Sequence, residues 1–329
     1  MALLQRSQIN NLLQEIRNLR WLVVGDCMLD HYIFGDAHRI SPEAPVPVVQ
    51  VEGEFYRLGG ACNVAANIRQ LGAQVKLMGG IGSDKEGVIL RDLLGQAGIE
   101  FDLPSEPTDV QTIVKTRVLV RNQQLCRLDK ESAFPVDFAS QLARELDANV
   151  ENVDGVIVSD YGKGTIQQII LDHLVRLKAK KHFFLAIDPK PVHTLNYSGA
   201  DLLTPNRGEA LQLAAMHLSH QQEISIEELA KKIFAAYDIQ HLAITLSGKG
   251  IAMISPDLVV KRFPTLAREV FDVSGAGDTA IAALALALCT CNDVSQAAYF
   301  ANLAAGVVVG KVGTASVSAD EILAYVDAF

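Results

Sequence analysis

Five short apolar runs constrain the fold of this chain most strongly. They are WLVVGD (residues 21–26), GVIVSD (155–160), FFLAID (183–188), DLLTPN (201–206) and HLAITLS (241–247). None alternates apolar with polar residues, which is the pattern of strands buried on both faces, and each leads through turn residues into a helix-periodic stretch. The repetition predicts an α/β fold with a doubly wound, mostly parallel sheet flanked by helices. Four of the runs end on Asp or Asn and the fifth on Ser. In an open parallel sheet the ligand crevice lies beyond the carboxyl ends of the strands, so these ends predict one functional rim. At any single position the same residue would serve equally well as a cap for the next helix.

Two stretches break this rhythm. Residues 38–60, HRISPEAPVPVVQVEGEFYRLGG, carry prolines at 42, 45 and 47 in an extended pattern. Residues 112–130, TIVKTRVLVRNQQLCRLDK, alternate polar and apolar side chains around an RNQQ turn, as antiparallel strands would. Together they predict a small β-sheet inserted as a discontinuous lid into an otherwise single domain spanning residues 1–329.

Composition narrows the partners. Hydrophobic residues make up 49% and charged residues 20%, which predicts a sizeable core and excludes disorder. Twenty-nine Lys and Arg against 38 Asp and Glu leave a net charge of −9 with no basic block, so nucleic acid is not an expected partner. An anionic ligand must then be met by a locally basic or amide-lined pocket. The longest apolar run, residues 280–289, is about half the length of a membrane span, and the first residues lack a signal-peptide core. Cys27, Cys62, Cys126, Cys289 and Cys291 form no CxxC pair. A reducing, cytoplasmic setting is therefore expected.

The segment EVFDVSGAGDTAIAALALAL (269–288) carries the most chemistry. Gly275, Ala276 and Gly277 open an apolar helix, and their amides would form an anion-binding nest. Asp278 stands in the first turn beside that nest, where a carboxylate is either a helix cap or a base. Amides for a developing phosphate charge, paired with a base for an attacking hydroxyl, are the logic of phosphoryl transfer. Neither a Walker-type P-loop nor a dinucleotide glycine fingerprint after the first strand occurs.

DVSGAGD resembles the C-terminal signature of the ribokinase-like, PfkB-type carbohydrate kinases, and LGGACNVAANIRQLG (58–72) resembles their N-terminal signature. The resemblance implies a ribokinase-like fold, ATP as phosphoryl donor and Asp278 as catalytic base with the 275–277 amides as its anion hole. It implies that Gly59, Gly60 and Asn63 hold the sugar. TPNRGE (204–209) matches the family's NxxE element, in which Asn206 and Glu209 organise Mg2+ through water and Arg207 and Gly208 lie on the ATP side; the same spacing is also a helix capping box. TLSGKG (245–250) is similar to the loop along the nucleotide, with Ser247 and Gly248 closest. FANLAAG (300–306) would bring Asn302 to the adenine, unless it is a satisfied core residue. Many members bind a monovalent cation such as K+ near this helix, which would make Asp272 and the backbone of residues 313–318 candidate ligands.

The likeness narrows further. GDCMLDHYIFGDAHRISPEAPVPVV, RVLVRNQQLCRLD, VSDYGKG, IDPK and FANLAAGVVVGKVGT are similar to the branch that phosphorylates D-glycero-β-D-manno-heptose 7-phosphate at its anomeric hydroxyl for ADP-heptose and lipopolysaccharide core synthesis. A substrate that already carries a phosphate needs cations at the far end of its pocket. Arg121, Arg127 and Lys163 are the candidates, with a solvated strand face as the alternative for the two arginines. Lys190 would lie near the transferring phosphate. Asp30 and Asp160 would accept hydrogen bonds from sugar hydroxyls, or shape turns at strand ends. The resemblance also implies a homodimer through the lid. No HxGH motif occurs, so the chain is expected to make the bisphosphate and stop there; its being the front half of a fused kinase–adenylyltransferase remains the alternative. The rival readings are another sugar kinase of the same fold, acting on ribose, fructose phosphate or a ketogluconate, and a catalytically silent sugar- or nucleotide-binding protein.

Overall fold

The computed structural model describes residues 4–102, 110–121, 123–132, 134–135, 137–192, 194–216 and 224–327. The elements run α1 (Arg6–Ile16), β1 (Arg20–Gly25), β2 (Cys27–Ile40), β3 (Pro47–Gly60), α2 (Ala61–Gln70), β4 (Gln74–Gly79), α3 (Lys85–Gln96), β5 (Glu100–Asp102), β6 (Ile113–Val120), β7 (Gln123–Lys130), α4 (Phe138–Asn149), β8 (Gly155–Ser159), α5 (Gln168–Lys181), β9 (Phe184–Asp188), β10 (Leu202–Leu203), α6 (Arg207–Leu213), α7 (Ile226–Ala236), β11 (His241–Thr245), β12 (Ile251–Ile254), β13 (Val260–Phe263), α8 (Ala276–Cys291), α9 (Val294–Val308) and α10 (Ala319–Asp327).

The two-residue period of β1 sorts the helices into layers. Trp21 and Val23 enter one apolar cluster with buried side chains of α1, α2, α3, α8, α9 and α10. Leu22 and Val24 enter a second cluster with α4, α5, α6 and α7. A sheet covered on both faces needs apolar side chains at every position, and this explains the unbroken apolar runs.

The large sheet has the order β13-β12-β11-β10-β9-β8-β1-β4-β5. All pairings from β11 to β5 are parallel, and β12 and β13 add an antiparallel edge. The five runs read as strands are β1, β8, β9, β10 and β11, side by side. The order reverses at β1, so the switch point where ligands bind such sheets lies at the carboxyl ends of β1 and its neighbours. Asp26 and Asp160 directly follow β1 and β8, Asp188 ends β9, and Asn206 lies shortly after β10.

The smaller sheet has the order β3-β2-β6-β7. Its β6–β7 pair is antiparallel, as the alternation of residues 112–130 predicts, although Asn122 in that turn lies outside the described residues. It also recruits β2 from Cys27 onward, which sequence periodicity did not signal. β2 pairs antiparallel with β3 and parallel with β6. Only Asp26 separates β1 in one sheet from β2 in the other, so the chain changes sheets without a turn motif. Among the described residues no helix is long and apolar enough to cross a membrane.

Candidate active site

α8 carries the central residue because of its composition. Every residue from Asp278 to Leu288 is buried, and an Ala/Leu helix that is apolar all round has no solvent face to present. The helix packs against α9, α2 and α1, which drives its N-terminus and the only carboxylate of its first turn to the strand-end rim. Gly275, which precedes it, takes φ 78°. A Cβ there would meet Asn63 Nδ2 at 2.7 Å, so glycine is required both by conformation and by space.

Asp278 is 3% exposed and both of its oxygens are engaged. Asn63 Nδ2 donates to Oδ2 at 2.8 Å, and the Tyr161 hydroxyl donates to Oδ1. Burial pushes the carboxyl up to about 6, against the two hydrogen bonds, which pull it down. Asp30 raises it further and Lys115 lowers it. A carboxylate that titrates there is ionised at neutral pH yet basic enough to take a hydroxyl proton. Asp278, Gly275 and Gly277 line a cleft of about 230 Å³ together with Asp160, Tyr161, Asp188, Lys190, Thr204, Asn206, Glu209 and Thr245. The Ala276 amide is already bonded to the Val273 carbonyl at 3.2 Å. That leaves the amides of Gly277 and Asp278 as first-turn donors without a partner inside the helix.

Asn206 caps α6. Its Oδ1 accepts the amides of Gly208 at 2.8 Å and Glu209 at 3.0 Å, and Glu209 Oε2 accepts the Asn206 amide at 2.9 Å. This is a reciprocal capping box, and it holds Glu209 Oε1 at 2.8 Å from Lys190 Nζ in the cleft. The capping-box reading of the NxxE spacing is therefore what the structure shows. Arg207 points away, donating to the Ile224 carbonyl at 2.7 Å. Asp188 is pushed up by burial and by the neighbouring carboxylates Glu209 and Asp278. Burial likewise pushes Asp160 up to about 7, while its Oδ1 accepts the Gly162 amide at 2.8 Å. Ser247 and Gly248 lie in the short turn after β11, with Ser247 at φ 53°. Asn302 is buried and donates to the Phe263 carbonyl at 3.2 Å, which is the core role named as its alternative. Asp272 accepts the amides of Ser274 at 2.9 Å and Gly313 at 3.1 Å, tying the loop before α8 to residue 313.

In the N-terminal signature, Gly60 takes φ 55° just before α2, and a Cβ on Gly59 would press to 2.8 Å from Asp30 Oδ2. Asp30 is buried, bonded to Arg117 Nη1 at 2.6 Å and to the Thr314 hydroxyl. Arg121 is 69% exposed on its side chain and pairs with Asp36 at 3.0 Å. Arg127 is half-exposed and pairs with Asp129 at 2.8 Å. Lys163 pairs with Glu131 at 2.6 Å. None of these three lines the cleft. On β6 of the smaller sheet, Lys115 and Arg117 are half-buried cations. Lys115 stands 4.9 Å over the Tyr161 ring, and burial lowers its ammonium below the usual lysine range.

Sequence reasoning missed Tyr161, Lys115 and Arg117, and it read Asp26 and Asp188 only as part of the rim. Asp26 accepts the amides of Tyr161 at 2.8 Å and Lys163 at 3.1 Å on Oδ2, and that of Thr165 at 3.1 Å on Oδ1. The signal for Tyr161 was its place directly after a strand-end Asp. For Lys115 and Arg117 it was their two-residue spacing on one strand face.

The comparisons agree with this geometry. The family model described as pfkB family carbohydrate kinase matches residues 19–321. The bifunctional protein HldE of Actinobacillus succinogenes is 45% identical over 304 residues, which is 92% of this chain and 62% of that protein. HldE of Helicobacter hepaticus is 41% identical over 314 residues, 95% of this chain and 64% of that one. The chain therefore spans under two thirds of the length of these relatives. Among solved structures, ribokinase from Giardia lamblia superposes with a TM-score of 0.75 at 17% identity, over 95% of this chain and 100% of that one. Phosphofructokinase-2 from Escherichia coli, in complex with substrates and products, gives a TM-score of 0.74 at 18% identity, over 94% and 99%. These structures share the fold: a mostly parallel sheet between helices with a smaller second sheet. With the family match extending over both signature motifs and the cleft between them, the chain belongs to the pfkB family of carbohydrate kinases, phosphotransferases that act on a sugar hydroxyl.

Proposed function

We propose that this chain transfers the γ-phosphoryl group of ATP to the anomeric hydroxyl of D-glycero-β-D-manno-heptose 7-phosphate. The observation that carries the reading is Asp278, a buried carboxylate poised near pH 6 at the mouth of a helix N-terminus and fixed through both oxygens. The choice of sugar rests on the likeness to the HldE proteins.

In this reading Asp278 takes the proton from the attacking hydroxyl as the phosphoryl group passes in line from ATP. The Gly277 and Asp278 amides, with the N-terminal end of α8, stabilise the charge on the phosphoryl oxygens. Lys190 and the Asn206–Glu209 box line the same cleft, and in this reading they face the triphosphate. Mg2+ fits the donor set there, since it keeps several waters and takes one or two carboxylates plus substrate phosphates. Glu209 beside Asp188 is a crowding of like charge that Lys190 offsets in part and a bound cation would offset further. When bound, Mg2+ would neutralise charge on the phosphates, held by Asn206 and Glu209 through water. A monovalent cation at Asp272 and a second copy of the chain bound through the smaller sheet belong to the same reading. Potassium titration tests the first, and sedimentation equilibrium tests the second, where Val51, Leu125 and Leu128 are exposed.

In this reading Lys115, over the Tyr161 ring and within electrostatic reach of Asp278, is the cation that meets the anionic substrate beside the base. Lys115→Met is expected to lower kcat/KM for the sugar phosphate by about 10- to 100-fold. Arg121→Ala, which breaks an exposed pair, is expected to leave it within about twofold. Steady-state kinetics of the two variants check this, and the reverse ranking would remove Lys115 from the site. The substrate itself is tested by ADP release across a panel of phosphorylated and free sugars. Heptose 7-phosphate is expected to be preferred, and preference for an unphosphorylated pentose would overturn the assignment.

A further inference from the structure

Tyr161 is absent from both family signatures, yet it makes the most direct contact with Asp278 on the side opposite Asn63. Its hydroxyl donates to Oδ1 while Asn63 donates to Oδ2, so the carboxylate is gripped at both ends and cannot rotate. The grip is built from the backbone outward. The Tyr161 amide is fixed to Asp26 Oδ2 at 2.8 Å, and the amides of Lys163 and Thr165 hold the rest of the loop to the same carboxylate. The Lys115 ammonium lies 4.9 Å above the ring, which polarises the phenol and strengthens it as a donor.

From this geometry we infer that Tyr161 is a positioning residue for the phosphoryl-transfer base: its hydroxyl aims Asp278 at the acceptor hydroxyl and stabilises the ionised carboxylate. The inference rests on Asp278 being that base, as proposed above. Burial and the adjoining carboxylates raise the phenol well above its ordinary range, so it remains a donor throughout the working pH. The charged and titratable groups facing Asp278 are Tyr161, Asp30, Lys115 and Asp188. Of these, Tyr161 is the one that hydrogen-bonds to it. No proton leaves the tyrosine during turnover. The hydroxyl proton of the sugar moves to Asp278, the new O–P bond forms at the sugar oxygen, and the bond to the ADP oxygen breaks.

Tyr161→Phe keeps the ring and removes only the donor. The experiment measures kcat, KM for ATP, melting temperature and the pH profile of kcat/KM, using a sugar that the wild-type protein phosphorylates. The expected result is a fall in kcat of about 10- to 100-fold at pH 7 with KM for ATP within about twofold. The acidic limb of the profile should move up by about one pH unit, because the lost hydrogen bond favoured the charged carboxylate, and the deficit should shrink toward pH 9. A merely structural tyrosine would lower the melting temperature without moving the limb, and that result, or an unchanged kcat and limb, would overturn the inference. Asp278→Asn is run beside it. If that variant is inactive while Tyr161→Phe is normal, only the role of Tyr161 fails. If Asp278→Asn turns over like wild type, the base assignment fails and takes this inference with it.

Discussion

Replacing Asp278 by Asn is expected to lower kcat by about 10²- to 10⁴-fold, the range a positioned general base contributes. Asn keeps the shape and remains within reach of Asn63 and Tyr161 but cannot accept a proton at neutral pH. Binding of ATP, measured by calorimetry, should stay within about threefold, since the contacts proposed for the nucleotide are those of Lys190 and the Asn206–Glu209 box. The wild-type protein carries the companion signature. Burial places the Asp278 carboxyl at about 6, raised from its ordinary value, so the base is ionised above that pH and protonated below it. Activity should therefore fall about tenfold per unit as the pH drops below 6. An acidic limb near 4 would mean that the base is an exposed carboxylate elsewhere.

The second large effect is expected at Asp26, and there it is chiefly one of stability. This fully buried carboxylate accepts three amides of the loop after β8. Asp26→Ala would leave all three unpaired. At about 1–3 kcal/mol for each unsatisfied buried group, and allowing for partial relaxation, the cost is about 3–5 kcal/mol. At about 2–4 °C per kcal/mol, the melting temperature should fall by roughly 10 °C. The same loop carries Tyr161, so kcat should fall with it. Asp26→Asn, with one acceptor oxygen instead of two, should lie between. Thermal unfolding of the two variants decides the matter: Asp26→Ala melting within about 2 °C of wild type would show that water satisfies the loop as well as the carboxylate does.

The legible parts of this protein are those whose signal is local. Strands buried on both faces cannot carry polar side chains, so β1, β8, β9 and β11 stood out as apolar runs; β10 did too, although only Leu202 and Leu203 form the strand. The helix start at Gly275 was legible because its backbone conformation and its close neighbour leave no other residue possible. What could not be read locally depends on how the two sheets meet. Lys115 sits on an alternating strand that reads as solvent-facing. Its register opposite Asp30 on β2 brings it over the Tyr161 ring and within electrostatic reach of Asp278 instead. Arg121 has the same parity, but it lies in the turn beyond β6, at φ 48°, where it reaches Asp36 in solvent. Asp26 reads as a rim residue because nothing in the run WLVVGD shows that a loop more than 130 residues later supplies its three donors.

The reaction we propose transfers phosphate from ATP to the anomeric oxygen of a phosphorylated heptose. Phosphorus NMR of the protein with ATP, Mg2+ and D-glycero-β-D-manno-heptose 7-phosphate reads it directly. One new phosphomonoester resonance coupled to the anomeric proton should grow in step with ADP while the 7-phosphate resonance persists. ADP formed without that resonance, or a new phosphate coupled to any other sugar position, would contradict it.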